Sequence, residues 1–444
     1  MPSWPPACGT FLLALLALAL LAGTSHAGTP AAFGEARFEL PEGWSGGPRG
    51  EALWAAERRF GTEGGAIIQV VRPVAGNDAP AAAARFAASL PELADRRPMR
   101  RGDGVTTNGH RLAFEERCCG TRGSATIGVT SVAIADGRAT HLLLLATVGL
   151  RREAARTARA DFDALVRSYR PRESDRPFEL RPPPGAGGLE GVFTHLDTGI
   201  RPNAFGGTDF YAEIEVLVLD PSGLFGRALP PGGEPLAEHC ARAPTGCGTY
   251  RVSGSVIELR EATRDFGLLR VTSEPLAREG GDLRIGRTAH RRVEPFPPGA
   301  TLEGTWRYTY ASSGSGAFSS GSVAVERTLT LSRDGRFART GWSGASSTNE
   351  TGGGRTGVTV GGARPTATGR YVLEGYRLTL LRDDGGREDM PVMRPDPGSE
   401  ALLVIGGANY LRRDGAGQAR GPSGGGKPPE ASGLPESPPG GRKG

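Results

Sequence analysis

The chain has 444 residues, including 69 glycines and 35 prolines, and carries a formal net charge of +5. Its 38% hydrophobic and 23% charged residues exclude a coiled coil, a collagen, a polytopic membrane protein and a wholly disordered chain. The basic excess is too dilute to predict nucleic-acid binding, which needs clustered charge. The length allows about two to four domains.

Residues 1–27 have the pattern of a secretory signal peptide. Their apolar run, Phe11–Ala22, is 12 residues long. A membrane-spanning helix needs about 20 residues, whereas a signal-peptide core has about 7–15. Small residues at Ser25 and Ala27 indicate cleavage before Gly28. We therefore expect export to the periplasm or the extracellular space, with no transmembrane span in the mature chain. The alternative is a buried helix of a cytosolic domain.

Four cysteines follow the predicted signal peptide, and they allow three pairings. Cys240 and Cys247 flank a short loop that a disulfide closes easily. Adjacent strand residues such as Cys118 and Cys119 face opposite ways, so a disulfide between them needs a distorted backbone. Two interpretations stay open for this pair: a strained, redox-sensing bridge, or one buried and one partly exposed thiol at a strand end.

Residues 31–171 alternate strand-like and helix-like stretches. Asp78 reads as the N-cap of a helix that carries Pro80 in its first turn and continues to about Leu90. A second, amphipathic helix is predicted over Arg151–Tyr169. Predicted strands are Ala36–Leu40, Glu51–Arg58, Ala66–Arg72, Arg111–Arg117, Ser124–Ala135 and Thr140–Val148. This order predicts an α+β sandwich domain in which helices cover a mixed sheet.

Three segments of this domain resemble the PsbP-like α/β/α-sandwich superfamily. They are the opening FELPEGW (Phe38–Trp44), the helix in the middle of the domain, and the closing DFDALVRSYRP (Asp161–Pro171). Members of that superfamily are mostly binding or assembly factors without catalytic residues. The resemblance therefore implies a non-catalytic role.

Two segments are predicted to lack a core. Residues 172–188 are rich in proline and glycine and read as an extended linker. Residues 414–444 have too few apolar side chains to offset chain entropy, and we expect them to be disordered.

The segments 189–294 and 300–413 are predicted to be copies of one another. Matching blocks recur in the same order, among them LEGVF (from Leu189) with LEGTW (from Leu302), and GTYRVSGSVIEL (from Gly248) with GRYVLEGYRLTL (from Gly369). The second copy is longer, and its Gly/Ser/Thr-rich stretch Ala345–Gly362 is the predicted insertion. Alternating strands and turn residues predict a small antiparallel barrel of about six to eight strands in each copy, without helices.

The block order of these copies resembles the lipocalin-like (calycin) domains. Gly304-Thr305-Trp306 matches the G-x-W on the first strand of that family, in which the tryptophan closes one barrel end beneath an arginine of the last strand. The resemblance implies this packing for Trp306 with Arg412 or Arg413. In the first copy Phe193 replaces the tryptophan, and Arg291 or Arg292 takes the arginine position. The alternative is another kind of small β-barrel.

Motifs for catalysis are weak. Ser45 formally fits G-x-S-x-G, but a turn precedes it and a predicted strand follows it, whereas a nucleophile elbow joins a strand to a helix. His239, Cys240 and Cys247 lack a fourth ligand and the spacing of a zinc site. The carboxylates around 383–389 read as a solvated hairpin tip. We therefore predict no catalytic residues, no metal and no cofactor.

These observations favour an exported, non-catalytic bacterial envelope protein that binds a small apolar ligand inside its barrels. The predicted ligand-lining side chains are aromatic and lie on alternating strands: Tyr308, Tyr310, Phe337, Tyr371 and Tyr376. One alternative is an interaction module of an envelope complex, with filled barrels and a partner protein. Another is an envelope hydrolase acting through Ser45.

Overall fold

In a computed structural model, residues 28–413 are described except for 63, 177, 204–206, 316–318 and 352–353. The predicted signal peptide and the predicted disordered tail lie outside the described residues. The described chain is mostly β-structure, with a two-stranded hairpin and a seven-stranded sheet in its N-terminal part and two closed barrels in its C-terminal part.

The N-terminal part contains a two-stranded hairpin and a seven-stranded sheet. The hairpin strands are β1 (Thr29–Phe33) and β2 (Ala36–Leu40). The sheet strands are β3 (Ser45–Pro48), β4 (Leu53–Arg59), β5 (Gly65–Ala75), β6 (Arg100–Val105), β7 (Arg111–Arg122), β8 (Ala125–Ala135) and β9 (Ala139–Val148). Their spatial order is β3-β4-β5-β9-β8-β7-β6.

All neighbouring strands of this sheet are antiparallel, so the prediction of a mixed sheet is wrong. A parallel pair needs a crossover connection between neighbouring strands. The first helix of the chain instead connects β5 to β6 at the far edge of the sheet, and no strand of the sheet follows the second helix.

Both predicted helices of this part are present. The helix α1 (Ala79–Ala87) begins after Asp78, whose carboxylate accepts a hydrogen bond from the Ala81 N–H at 3.0 Å. It ends earlier than predicted, because Pro91 restricts Leu90 to an extended conformation before a short 3₁₀ turn, Pro91–Leu93. The helix α2 covers Arg152–Ser168.

The two helices lie against opposite faces of the sheet, as the alternation of side chains along β9 shows. Leu143 points to the face covered by α2 and packs in one cluster with Phe162 and Leu165. Leu142, its neighbour in the chain, packs on the other face with the alanines of α1. The sheet thus separates two apolar layers.

The C-terminal part forms two closed antiparallel barrels of eight strands each. The first consists of β10 (Gly191–Pro202), β11 (Thr208–Leu219), β12 (Leu224–Gly226), β13 (Cys247–Ser253), β14 (Val256–Ala262), β15 (Leu269–Glu279), β16 (Asp282–Ile285) and β17 (Thr288–Val293). The second consists of β18 (Gly304–Ser315), β19 (Ser319–Leu331), β20 (Arg336–Thr351), β21 (Gly354–Glu374), β22 (Arg377–Arg382), β23 (Arg387–Met393), β24 (Leu402–Ile405) and β25 (Ala408–Arg413).

The two barrels have the same strand order and differ most between their third and fourth strands. In the second barrel this connection is the long hairpin of β20 and β21, which contains the predicted insertion. In the first barrel it carries a short helix, α3 (Leu236–Arg242), so the prediction of copies without helices is wrong. The helix lacks a clear sequence signal because it has only seven residues; Leu236 and Cys240 anchor it by packing with Cys247.

Apolar contacts join the N-terminal part to the first barrel and the first barrel to the second. Phe266, in the loop before β15, is buried within the N-terminal cluster beneath α2. Between the barrels, Val192 and Val293 of the first pack with Met393 and Val404 of the second. Concave surface remains at one end of each barrel, in the N-terminal part, and beside the contact between the two barrels.

Candidate ligand sites at the open ends of the barrels

One end of each barrel is closed by an aromatic side chain under an arginine. Trp306 is fully buried, and the Arg412 guanidinium carbon lies 5.5 Å from its ring centre. In the first barrel Phe193 is buried and Arg292 lies over it at 5.7 Å. Of the arginines predicted to cover these rings, Arg412 and Arg292 therefore do so, and not Arg413 and Arg291.

The glycine of the G-x-W motif is required by this closure. Gly304 has a φ of +153°, and a Cβ there would lie 3.1 Å from Arg412 Nε and 3.2 Å from the Trp306 ring. Arg412 is held in place by Glu400, to which it donates a hydrogen bond at 2.6 Å. These contacts pack the closed end of the barrel with side chains of the chain itself.

A buried tyrosine completes the closed end in both copies. The Tyr371 hydroxyl accepts a hydrogen bond from the Leu302 N–H at 2.9 Å and lies 3.0 Å from the carbonyl oxygens of Leu302 and Ser332. Tyr250 makes the equivalent contacts with Leu189 and Asp220. Each tyrosine thus ties the segment before the first strand to the turn after the second.

The opposite end of the second barrel holds a cavity of about 790 Å³. Its apolar walls include Ala367, Met390, Ile405 and Tyr410. Its charged lining consists of Arg327, Arg339, Arg364, Arg382, Asp383, Asp384 and Glu388. We call this cavity the barrel-2 mouth. Its volume lies within the range of about 300–1,000 Å³ that is usual for small-molecule sites.

The charges of the barrel-2 mouth are only partly paired. Arg339 pairs with Glu388 at 2.8 Å, and Arg382 pairs with Asp384 at 3.0 Å. Within the described part of the chain, neither Arg327 nor Arg364 forms an ion pair. Two guanidinium groups are therefore left to face the cavity without a carboxylate partner.

Arg327 stacks near Tyr308, which in turn lies near Tyr410. The Arg327 guanidinium carbon lies 5.6 Å from the centre of the Tyr308 ring, which lies 5.8 Å from that of Tyr410. Burial raises the pKa of the Tyr410 hydroxyl, and the neighbouring Arg327 opposes that effect. The hydroxyl therefore stays protonated at neutral pH and can donate a hydrogen bond at the cavity wall.

The predicted ligand-lining residues occupy several different places. Tyr308 lies beside the barrel-2 mouth, and Tyr310, further along β18, is 38% exposed. Phe337 and Tyr371 lie in the filled core. Tyr376 lies between the barrels, where its hydroxyl donates a hydrogen bond to the Val293 carbonyl at 2.8 Å. None of the five is among the residues that line the barrel-2 mouth, and their contact with a ligand stays a prediction.

Arg327, Arg339 and Tyr410 were not among the predicted ligand-lining residues, although the strand alternation contains a signal for them. Arg327 lies two positions before the buried Leu329 on β19, so both point to the same face of that strand. Arg339 lies two positions after the buried Phe337 on β20 and shares its face in the same way. Tyr410 lies two residues before Arg412 on the last strand. Inward-facing positions next to the barrel core can therefore be read by period-two alternation.

The mouth of the first barrel has a different chemistry. Its cavity of about 680 Å³ is lined by Glu215, Arg227, Glu274 and His290, among others. The His290 ring lies 5.9 Å from that of His195, and its Nδ1 is buried without a hydrogen-bond partner. Burial, together with His195 and Arg227, lowers the pKa of His290 to about 4, so the imidazole is neutral at pH 7.

A third cavity, of about 720 Å³, lies in the N-terminal part next to His141. His141 Nδ1 lies 2.8 Å from the buried Tyr169 hydroxyl, and its Nε2 lies 3.8 Å from Asp136. Burial lowers the pKa of His141 and raises that of Tyr169. Both groups are therefore neutral at pH 7, and Tyr169 is not activated as a nucleophile.

Cys240 and Cys247 form the predicted disulfide, with an S–S distance of 2.05 Å. Cys118 and Cys119 are free thiols. Ser45 begins β3, which is followed by another strand and not by the helix of a nucleophile elbow.

Within the described ranges there is no group of three or more His, Cys, Asp or Glu side chains that could hold a metal ion. None of the helices in residues 28–413 is both long and apolar enough to cross a bilayer.

No protein-family model matches this chain, and no curated protein sequence is similar to it.

Proposed function

We propose that the chain is an exported, non-catalytic envelope protein that binds a small amphiphile, with an apolar body and an anionic group, in the barrel-2 mouth. The observation that carries the proposal is the pairing of apolar walls with two unpaired arginines, Arg327 and Arg364, around one cavity. An apolar ligand body would contact Met390 and Ile405. Its anionic group would accept hydrogen bonds from the guanidinium groups, which are well suited to carboxylate, sulfonate or phosphate.

We also propose that the barrels are lipocalin-like domains and that the N-terminal part is a PsbP-like domain. The eight-stranded barrels, with an aromatic ring closed under an arginine, support a lipocalin-like assignment for both copies. The helices on the two faces of the N-terminal sheet support an α/β/α sandwich of the PsbP-like kind. Neither resemblance supplies a catalytic residue. Export is proposed from the pattern of residues 1–27.

Two fluorescent probes of similar shape test the ligand site in the full mature chain. The probe 1-anilinonaphthalene-8-sulfonate carries an anionic group, whereas N-phenyl-1-naphthylamine is neutral. We expect Arg327→Gln and Arg364→Gln each to weaken sulfonate binding by about tenfold, since a charge-assisted hydrogen bond contributes about 1.5–3 kcal/mol. Binding of the neutral probe should change little. Arg333→Gln is the matched control, because Arg333 is highly exposed and pairs with Glu303 outside the mouth.

A third variant tests the location of the apolar body. Met390→Trp places a larger side chain in the cavity and should weaken both probes. If all variants bind both probes as the unmodified chain does, the barrel-2 mouth is not the site and the proposal fails.

The second candidate function is an interaction module of an envelope complex. The observation in its favour is that the closed half of each barrel is filled by its own side chains, including Trp306 and Phe193. Native mass spectrometry of the chain purified from its own envelope separates the two functions. A co-purified small molecule supports the first, and a stoichiometric protein partner with empty mouths supports the second.

A further inference from the structure

The adjacent cysteines of β7 lie at a β-bulge. Cys118 pairs with Gly128, and Gly120 pairs with Ile127, so Cys119 is an extra residue without a partner on β8. Its φ of +70° is uncommon for a residue other than glycine. The bulge interrupts the alternation that would place neighbouring side chains on opposite faces of the strand. The backbone at this pair is therefore already distorted from regular strand geometry.

The two thiols are in contact but differ in accessibility. Burial, together with the neighbouring Cys119 side chain, raises the pKa of the Cys118 thiol to about 11. Cys119 is exposed, whereas Cys118 is half-buried. A soluble reagent therefore reaches Cys119 first, and Cys118 is the other free thiol among the described residues.

Contacts on both sides hold the bulge in place. Arg117 donates hydrogen bonds to the carbonyl oxygens of Leu93 at 3.0 Å and Ala94 at 2.7 Å. Gly120 lies so close to the 3₁₀ turn that a Cβ there would be 2.6 Å from the Glu92 carbonyl oxygen. The backbone on either side of the two thiols thus has little room to move apart.

We propose that Cys118 and Cys119 form a reversible vicinal disulfide by exchange with a low-molecular-weight disulfide such as oxidised glutathione. The Cys119 thiol loses its proton, and its sulfur attacks the reagent, which releases one thiolate and leaves a mixed disulfide. The Cys118 sulfur, as it loses its proton, then attacks Cys119 Sγ and displaces the second thiolate. The two cysteines are oxidised by two electrons, and one reagent disulfide is reduced to two thiols.

Such a bridge is easily reduced because of its geometry. The Cα atoms of adjacent residues lie about 3.8 Å apart, whereas those of disulfide-bonded cysteines usually lie about 4.4–6.8 Å apart. A strained bridge has a more oxidising potential than a structural one. The pair therefore responds to the redox state of its surroundings, unlike a bridge that only stabilises the fold.

The test uses the full mature chain, reduced at Cys118 and Cys119 and then equilibrated with mixtures of oxidised and reduced glutathione. Mass spectrometry of the alkylated, non-reduced peptide reads the product. We expect the peptide to lose about 2 Da and to carry no lasting glutathione adduct. Adding reduced glutathione should restore the thiols before the Cys240–Cys247 bridge opens.

Two serine variants separate this mechanism from ordinary thiol oxidation. Cys118→Ser should stop at a stable glutathione adduct on Cys119, because the second attack is impossible. Cys119→Ser should react at least tenfold more slowly, because only the half-buried Cys118 remains. A lasting adduct on the unmodified chain, or a dimer linked through Cys119, would overturn the proposal. So would equal reactivity of the two serine variants.

Discussion

The ring of Phe266, in the first barrel, lies 5.7 Å from the ring of Phe162 in α2, and the two planes are nearly perpendicular. The Phe266 N–H donates a hydrogen bond to the Asp163 carboxylate at 2.7 Å, and Arg159 lies over the Phe266 ring at 4.0 Å. One residue of the barrel thus completes the core of the N-terminal sheet. Its φ of +57° is tolerated because these contacts hold it in place.

Replacement of Phe266 should uncouple the two units. We expect Phe266→Ala to lower the free energy of unfolding by about 3–5 kcal/mol, the usual effect of removing a buried aromatic ring. Calorimetry of the full chain should show the thermal transition of the N-terminal part moving to lower temperature. Phe210→Ala is the control, because Phe210 is 72% exposed and its loss should change stability by less than about 0.5 kcal/mol. Equal effects of the two variants would contradict the assignment.

The buried tyrosines of the closed barrel ends should contribute through their hydroxyl groups. Tyr371→Phe keeps the ring but leaves the buried Leu302 N–H without its acceptor. We expect a loss of about 1–3 kcal/mol in chemical denaturation. Tyr250→Phe should have an effect of similar size on the first barrel. Tyr310→Phe, at a partly exposed site, should have almost none.

The Cys240–Cys247 disulfide should stabilise the connection that contains α3. It closes a short loop, with a sequence separation of 7. Loop-closure entropy for such a length corresponds to about 2.5 kcal/mol. We expect the Cys240→Ala/Cys247→Ala variant to lose about that much free energy of unfolding, and to be cleaved by proteases near α3. The Cys118→Ser variant keeps this bridge and should keep its stability; protease resistance in both variants would contradict the prediction.

Acid should destabilise the N-terminal part through His141. Burial lowers the pKa of His141 below its usual value near 6.5, although Asp136 and Asp175 oppose this, and His110 adds to it. The unfolded chain therefore binds a proton at a higher pH than the folded chain does. The contribution of His141 to the free energy of unfolding is therefore complete above about pH 6.5, and it is lost as the pH falls through the pKa of the folded state.

The variant His141→Asn tests this assignment, because asparagine can hydrogen-bond to Tyr169 but does not titrate. Denaturation curves between pH 7.5 and about 4.5 should show a smaller loss for the variant than for the unmodified chain. Parallel curves for the two proteins would assign the acid sensitivity to other groups.

Much of the chain could be predicted from local patterns. The predicted strand over Ala36–Leu40 has the bounds of β2, and the strand predicted over Thr140–Val148 gives β9 to within one residue. Asp78 caps α1 as expected, because an N-cap acts on the three residues that follow it. The repeated blocks predicted two similar barrels, and the two cysteines around a short loop predicted their own bridge.

The candidate site was harder to predict, because its residues come from different strands. Arg327 and Tyr410 are more than eighty positions apart in the chain, and only barrel closure brings them together. The aromatic residues chosen from the sequence lie in the filled core, beside the barrel-2 mouth and between the barrels, but not in the lining of the mouth. Alternation gives the face of a strand that a side chain occupies, but not its depth along the barrel axis.

Local sequence patterns predicted most strands and both helices of the N-terminal part, the matching blocks of the C-terminal half, and the cysteines that close the short loop. Each of these depends on residues close in the chain or on a pattern repeated within it. The tertiary structure alone shows that the N-terminal sheet is antiparallel throughout, that Arg327 and Arg364 line one cavity, and that a β-bulge lies at Cys118 and Cys119. These features depend on the pairing of distant strands, whose register local propensities do not specify.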